Sequence, residues 1–313
     1  MKTQASLTVS HPGFFSLIQD GGRKGYQAFG VPESGAMDKE AAMIASLLAG
    51  NPKEAPVIEV TVMGLELEVH EDLTIAITGG DLGPQVDGMP VPMYQTVKIQ
   101  TGSRLRFTGL RTGARAYLAF SGTMKADNVM GSYATYTRGN FGGLDGRKLE
   151  KGDSIVIEPK ETTFKRFDAS VLPGYGQTEI RVILFREDEA FTGEGIHTFL
   201  SEPYDISNQS DRMGYRLSGP LISHREGADM ISSAITFGAI QVPGHGQPII
   251  MMADRQTVGG YTQIGRVISA DLSVLAQSLP GKTLTFKEVS LREAQNLYRQ
   301  RMNQINKAFS VYE

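Results

Sequence analysis

Cysteine and tryptophan are both absent from the 313 residues of this chain. The lack of cysteine excludes disulfides, thiolate catalysis, iron–sulfur clusters and zinc sites with sulfur ligands. The chain also lacks the run of about 18 apolar residues that a membrane-spanning helix needs. Its N-terminus shows no secretory signal pattern, so we expect a cytoplasmic protein that does not bind membranes.

Neither sign of charge is in large excess, because the chain has 31 Lys and Arg residues and 34 Asp and Glu residues. This balance argues against nucleic acid or an anionic membrane as a partner. The five histidines are scattered, and we predict no protein metal ligands. Phosphate-loop, dinucleotide-binding and nucleophile-elbow sequences are missing too, which argues against the common nucleotide-binding and hydrolase folds.

Glycine (36) and proline (14) are abundant and indicate many turns between short strands. The pattern predicts a mainly β protein with a few helices, built as a barrel or sandwich. Asp38 is typical of an N-cap for a helix that ends at Gly50. A second, amphipathic helix is predicted over residues 291–309. Strands are predicted at 57–62, 65–69, 73–78, 96–100, 104–108, 115–120, 154–158 and 180–185.

A polar, irregular stretch over residues 159–177 predicts a boundary between two subdomains, 1–168 and 169–313, the second carrying the terminal helix. Two internal sequence repeats, called echoes below, favour a duplicated β domain. Arg-x-Gly-Tyr-x-x-x-Gly begins at Arg23 and again at Arg212, and the turn-and-strand segment 102–107 resembles 281–286. A ligand pocket between the two copies would follow, since pockets favour such interfaces.

Three glycine-rich polar segments are candidates for a site. Residues 19–25 place Arg23 beside paired glycines, which allow close backbone approach to a ligand; the alternative is a tight hairpin with a solvated arginine. Residues 254–261 follow an apolar strand and could equally form a solvated turn. Gln241 lies in an apolar context, where its amide could bind substrate or satisfy backbone groups.

Together these segments resemble one family, the allophanate hydrolase subunit 2 family, also called the biotin-dependent carboxyltransferase family. The resemblance extends from Leu7 to about Phe286. It implies two cyclophilin-like β-barrel subdomains with a cleft between them. The matching segments are Gln19–Gly25, Gly30–Asp38, Ser210–Leu217, Gly238–Pro243, Gly246–Ile249 and Asp254–Tyr261.

The resemblance implies the C subunit of an ATP-dependent 5-oxoprolinase, which opens 5-oxo-L-proline to L-glutamate. ATP and Mg²⁺ would be the cofactors, a small amide the substrate, and the A and B subunits of that enzyme the partners. One alternative is a regulatory protein that binds a histidine-kinase inhibitor homologous to the B subunit. Another is a biotin-dependent carboxyltransferase acting on a urea-like amide, which would need a biotin carrier and a biotin carboxylase from other chains.

Three residues are predicted to be catalytic on this basis. Arg23 would clamp an anion, as would the substrate-binding Arg212. Asp20 and Asp254 would coordinate a metal or accept a proton. Because Arg23 is placed in a ligand-facing loop, Arg23→Ala is expected to stop turnover with little change in melting temperature.

The other predicted substrate-binding residues belong to the second half of the chain. Gln241 and Gln256 would hydrogen-bond the lactam amide, and Tyr261 would line the pocket.

Overall fold

A computed structural model describes residues 6–185 and 190–312. Within these residues the chain forms two compact units, neither of them continuous in sequence. The first unit contains residues 6–24, 34–175 and 305–312, and the second contains 25–33, 176–185 and 190–304. Both are built mainly from short strands, which confirms the predicted fold class. The predicted subdomain limit at residues 168 and 169 stays a prediction.

The strands of the first unit form two sheets. One sheet has the order β11-β12-β1-β4-β9-β6-β7, the other the order β2-β3-β10-β5-β8. These strands are β1 (Leu7–Pro12), β2 (Phe15–Gln19), β3 (Val57–Thr61), β4 (Leu65–Val69), β5 (Leu73–Asp81), β6 (Pro84–Val86), β7 (Met89–Pro90), β8 (Thr96–Ile99), β9 (Arg104–Phe107), β10 (Thr112–Phe120), β11 (Gly122–Lys125) and β12 (Ser154–Pro159). Strand β13 (Lys165–Phe167) lies outside both sheets.

Side-chain alternation explains how these sheets bury one face. Along β4, Leu65, Leu67 and Val69 are buried, while Glu66 and Glu68 point outward to arginines of β9. Such alternation is expected of strands with one face toward a core. The buried β4 leucines join one apolar core with residues of the other sheet, so the core of this unit lies between its two sheets.

Helix α1 (Lys39–Leu48) packs beside the five-stranded sheet. Its N-cap is Asp38, whose carboxylate accepts a hydrogen bond from the Ala41 amide at 3.0 Å. Gly50, with φ of 76°, follows its C-terminal end. The helix predicted from Asp38 to Gly50 is therefore confirmed.

The second unit contains a closed barrel with the strand order β14-β21-β18-β19-β16-β15-β22. Strands β17 and β20 pair separately. The strands are β14 (Glu179–Leu184), β15 (Tyr204–Ile206), β16 (Gly214–Ser218), β17 (Asp229–Ala234), β18 (Ala239–Gln241), β19 (Ile249–Met251), β20 (Val258–Tyr261), β21 (Gln263–Val267) and β22 (Thr283–Glu288), and the helices are α2 (Gly193–Ser201), α3 (Leu272–Ala276) and α4 (Leu291–Lys307).

The final strand, β23 (Phe309–Val311), returns to the first unit and pairs with β13. Helix α4 confirms the predicted terminal helix, although the chain leaves the helix at Lys307 and enters this strand. Within the described residues, no helix combines the length and the apolar character that crossing a membrane requires.

Candidate functional site

The Asp20 carboxylate in the first unit accepts hydrogen bonds from three neighbouring residues. Its carboxylate accepts from the Gly22 amide at 2.8 Å, the Ser132 hydroxyl at 2.8 Å and the Tyr133 amide at 2.7 Å. The preceding Gln19 donates its side-chain amide to the Thr135 carbonyl at 3.0 Å. These hydrogen bonds hold loop 19–25 against residues 132–135.

The fully buried Arg23 side chain makes further hydrogen bonds between this loop and the rest of the first unit. Its Nε donates to the Val129 carbonyl and its Nη2 to the Ala134 carbonyl, both at 2.9 Å. Its Cζ lies 4.6 Å from the centre of the Phe141 ring, a cation–π distance. The Arg23 side chain therefore contacts protein on several sides, while its predicted role in clamping an anion stays a prediction.

Arg212 and Asp254 form a buried ion pair in the second unit. The Arg212 Nε and Nη2 atoms meet the two Asp254 oxygens at 2.9 and 3.1 Å, and each side chain is 8% exposed. The Asp254 amide also donates to the Arg212 carbonyl at 2.8 Å. This planar, two-contact geometry favours a fixed structural pair. A substrate anion at Arg212 would compete with Asp254.

Gln241 and Gln256 meet at a single glycine of β20. A Cβ built on Gly259 would lie 2.6 Å from the Gln241 amide nitrogen and 3.0 Å from that of Gln256. Gln241 is buried, and among the described residues its amide nitrogen has no hydrogen-bond partner. Because an unpaired buried donor is costly, this amide is suited to a ligand acceptor. The structure thus brings together the two predicted amide-binding residues.

Arg255, between Asp254 and Gln256 in sequence, is a buried cation that sequence analysis did not assign a role. Its Nη2 donates to Glu33 at 2.9 Å and its Nε to the Ile235 carbonyl at 3.2 Å. The Ile235 side chain in turn contacts Gly259, where a Cβ would lie 2.5 Å from Ile235 Cδ1. Arg255 and the side-chain amides of Gln241 and Gln256, which we call the amide pair, therefore share Ile235 as a neighbour.

Arg266 on β21 is a second cation that sequence analysis missed. Its Nε donates to the Phe237 carbonyl at 3.0 Å, and the Phe237 ring lies 5.7 Å from Arg255 Cζ. Burial and the nearby Arg255 charge lower the pKa of Arg266, while Glu33 acts in the opposite direction. No sequence signal marked Arg266, whereas Arg255 and Glu33 lie within segments already singled out.

Tyr261 ends β20 with 42% of its surface exposed. Of the seven predicted site residues, Asp20 and Arg23 lie in the first unit and the other five in the second. The predicted pocket between two copies stays a prediction. Within residues 6–185 and 190–312, no three His, Asp or Glu side chains are grouped to hold a metal ion.

The Gly30–Asp38 segment leads into a buried polar network of the first unit. Glu59 accepts from the Met37 amide at 2.8 Å and from the Tyr117 hydroxyl at 2.9 Å. The Tyr117 oxygen accepts from the Asp38 amide at 2.7 Å. Burial, with the nearby Glu59 and Asp38 charges, raises the pKa of Tyr117 well above its usual value. These partners explain the segment as a structural junction before α1.

A surface groove of about 380 Å³ lies elsewhere in the first unit. Its lining includes two lysines, Lys98 and Lys160, and two carboxylates, Asp72 and Glu161. Asp72 already accepts two hydrogen bonds from Thr101. The groove contains none of the predicted site residues.

Comparison with known proteins identifies a family for most of the chain. Residues 29–288 match the family described as carboxyltransferase domain, subdomain A and B. The C subunit of the 5-oxoprolinase of Haemophilus influenzae is 36% identical over 91% of this chain and 91% of its own length. The Escherichia coli protein of the same name is 35% identical over 92% of this chain and 93% of its own length.

A solved structure has the same fold. The urea carboxylase of Kluyveromyces lactis superposes with a TM-score of 0.91 and 27% identity, over 98% of this chain and 29% of that protein.

Proposed function

This chain belongs to the family of carboxyltransferase domains, subdomains A and B, and from that premise we propose that it is the C subunit of an ATP-dependent 5-oxoprolinase. The two bacterial relatives with that name support the proposal, because they match nearly their whole length. The proposed reaction opens 5-oxo-L-proline to L-glutamate. We also propose that the chain acts in the cytoplasm, together with the A and B subunits of the enzyme.

The observation that carries the proposal is the amide pair at Gly259. A lactam presents one carbonyl acceptor and one N–H donor, and a glutamine amide offers both a donor and an acceptor. The unpartnered nitrogen of Gln241 can donate to the lactam carbonyl. Gln256, whose amide nitrogen lies near the same Cβ position at Gly259, can accept the lactam N–H through its side-chain oxygen. Two such contacts would fix the ring in position.

The chemistry explains why ATP is needed. An amide carbonyl is a poor electrophile, and phosphoryl transfer to its oxygen turns that oxygen into part of a leaving group. Water can then attack the carbon, and the ring C–N bond breaks as nitrogen takes a proton, which leaves an acyl phosphate. A second water hydrolyses this acyl phosphate to L-glutamate and inorganic phosphate. Phosphoryl transfer depends chiefly on positioning and charge neutralisation. The part proposed for this chain is to hold the lactam.

Magnesium does not fit a site built from this chain's described residues, since they hold no group of three suitable ligands. We therefore propose that Mg²⁺ accompanies the nucleotide. Asp20 and Arg23 are proposed as positioning residues, because their polar groups hold the loop to its neighbours. Asp254 would position Arg212.

Reconstitution tests this function. The purified chain is combined with its A and B partners, and glutamate release from 5-oxoproline and ATP is followed. We expect glutamate only when all three subunits and ATP are present. Gln241→Ala should lower kcat/KM by about fivefold, since one hydrogen bond of about 1 kcal/mol is lost. Gln209→Ala, at an exposed turn, is the matched control and should leave kcat/KM unchanged.

Carboxyl transfer to a small amide is the second candidate, favoured by the likeness to urea carboxylase. The same assay separates the two. A stable three-subunit complex that releases no glutamate would contradict the 5-oxoprolinase proposal. Carboxylation of urea by a carboxybiotin donor in that complex would then support the second candidate. Tight binding of the B partner with neither activity would support a regulatory role.

A further inference from the structure

We propose that Arg266, supported by Arg255, binds the carboxylate of the substrate next to the amide pair. The inference deepens the proposed function and rests on it. It assigns the second unit a ligand class, a small molecule carrying both an amide and a carboxylate. Neither arginine was among the residues predicted from the sequence.

Arg266 has hydrogen-bonding capacity to spare. Its Nε is occupied by the Phe237 carbonyl. Among the described residues, its two terminal nitrogens have no hydrogen-bond partner and the side chain forms no ion pair. The residue is half-buried, so these nitrogens remain within reach of a small molecule. A guanidinium fixed at Nε presents its other edge as a planar fork that matches a carboxylate.

Arg255 supplies the second charge in a fixed position. Its three nitrogens contact the Ile235 and Met252 carbonyls and the Glu33 carboxylate, and its side chain is 6% exposed. Taken together, Arg255, Arg266 and Glu33 have one positive charge in excess. Partly buried like charges repel each other, and a bound carboxylate would relieve that repulsion.

Shared neighbours connect these cations to the amide pair. Phe237 contacts both arginines, through its carbonyl and its ring. Ile235 accepts from Arg255 and also contacts Gly259, where the two glutamine amides meet. In addition, Arg266 lies opposite Ala239 on β18, the strand that carries Gln241. The buried Gln241 nitrogen, which has no hydrogen-bond partner in the part of the chain that the structure describes, is an independent sign that this region accepts a ligand.

The experiment compares Arg266→Gln with Arg266→Lys in the reconstituted three-subunit enzyme. Losing a charged hydrogen bond should raise KM for 5-oxoproline by about 10- to 100-fold in Arg266→Gln, with a much smaller change in kcat. Arg266→Lys retains the charge and should recover part of the affinity. Arg216→Gln, on an exposed position of β16, is the control and should match wild type. An unchanged KM in Arg266→Gln would overturn the inference while leaving the proposed function intact.

Direct binding keeps the inference testable if the wild-type assembly makes no glutamate. Calorimetry then compares 5-oxoproline with 2-pyrrolidinone, the same lactam without its carboxylate. A preference for 5-oxoproline that disappears in Arg266→Gln supports the carboxylate site, even though the proposed reaction has failed. Equal or undetectable binding of both lactams by the wild-type assembly overturns it.

Discussion

The Gln19–Gly25 segment of the first unit buries Asp20 and Arg23 against protein, whereas the Asp254–Tyr261 segment of the second adjoins the Gln241 amide that we propose binds a ligand. Asp20 and Arg23 contact backbone amides, a hydroxyl and backbone carbonyls of their own unit. Beside the second segment, the Gln241 nitrogen has no partner among the described residues. Two segments of similar glycine-rich composition therefore differ in the contacts that their polar groups make.

The difference shows what separates a structural loop from a candidate site. Both segments contain an Asp, an Arg and paired glycines, so composition cannot distinguish them. The clearest difference is at the ionised groups and the neighbouring amide: protein groups occupy the Asp20 carboxylate and two Arg23 nitrogens, while the second segment adjoins the Gln241 donor. Among the described residues, the buried Gln19 Oε1 also has no hydrogen-bond partner, so burial without a partner does not by itself mark a site. Three variants test this comparison, in order of decreasing expected effect.

Arg23→Ala tests the structural role of the first segment. We expect the free energy of unfolding to fall by about 3–5 kcal/mol, because two buried carbonyls and an aromatic ring lose their charged partner. The melting temperature should fall by about 10 °C or more. Lys24→Ala, the neighbouring exposed position, should cost at most about 1 kcal/mol. Equal melting temperatures for the two variants in thermal denaturation would contradict the structural role.

Gly259→Ala tests the second segment through activity. The added methyl group would meet both glutamine amides and Ile235, so the amides must move away from their ligand positions. We expect kcat/KM of the reconstituted enzyme to fall by about 10- to 100-fold, as for two weakened hydrogen bonds. Gly260→Ala is the control, since its nearest neighbour would be the Met230 carbonyl at 3.3 Å. Identical kcat/KM values for the two variants would argue against the amide site.

Tyr204→Phe extends the comparison to buried tyrosines and has the smallest expected effect. Tyr117 in the first unit donates to Glu59, whereas the Tyr204 hydroxyl in the second has no partner among the described residues. Burial, with a smaller contribution from Glu202, raises the pKa of Tyr204 to about 12. Removing the hydroxyl should change stability at pH 7 by less than about 1 kcal/mol.

Tyr204→Phe should also change how the free energy of unfolding depends on pH. Between pH 10 and pH 12 the unfolded tyrosine ionises while the folded one keeps its proton, so the wild-type free energy of unfolding falls as pH rises. Tyr204→Phe should show a shallower fall over this range in urea denaturation. A parallel pH profile for both proteins would show that Tyr204 does not contribute.

Local sequence was sufficient to predict most individual helices and strands. β4 spans the predicted residues 65–69, and α1 begins after the predicted cap, because alternation and capping are decided by neighbouring residues. One internal echo has the same local structure in both copies: Gly102 and Gly281 have φ of 86° and 85°, and each precedes a strand. In the other echo, Gly214 begins a strand, whereas Gly25 precedes a short 3₁₀ turn.

The candidate site was only partly predictable because its contacts join distant residues. Gln241 and Gln256 could be selected from their apolar and glycine-rich contexts. Their meeting at Gly259, however, follows from how separate strands of the second unit pack. Arg266 had no distinguishing context, and its position opposite Ala239 depends on strand register. Likewise, burial of Arg23 depends on Val129 and Ala134, far away in the chain.

Pairing of β13 with β23 has a consequence for biosynthesis. Phe167 is translated long before its partner Phe309, and the two strands form a two-stranded sheet with each other. Strand β13 must therefore leave the ribosome without its partner and wait for the rest of the chain. Such delayed, long-range closure slows folding and exposes an unpaired edge to neighbouring chains. Slowing translation over the second half should thus increase aggregation of newly made protein.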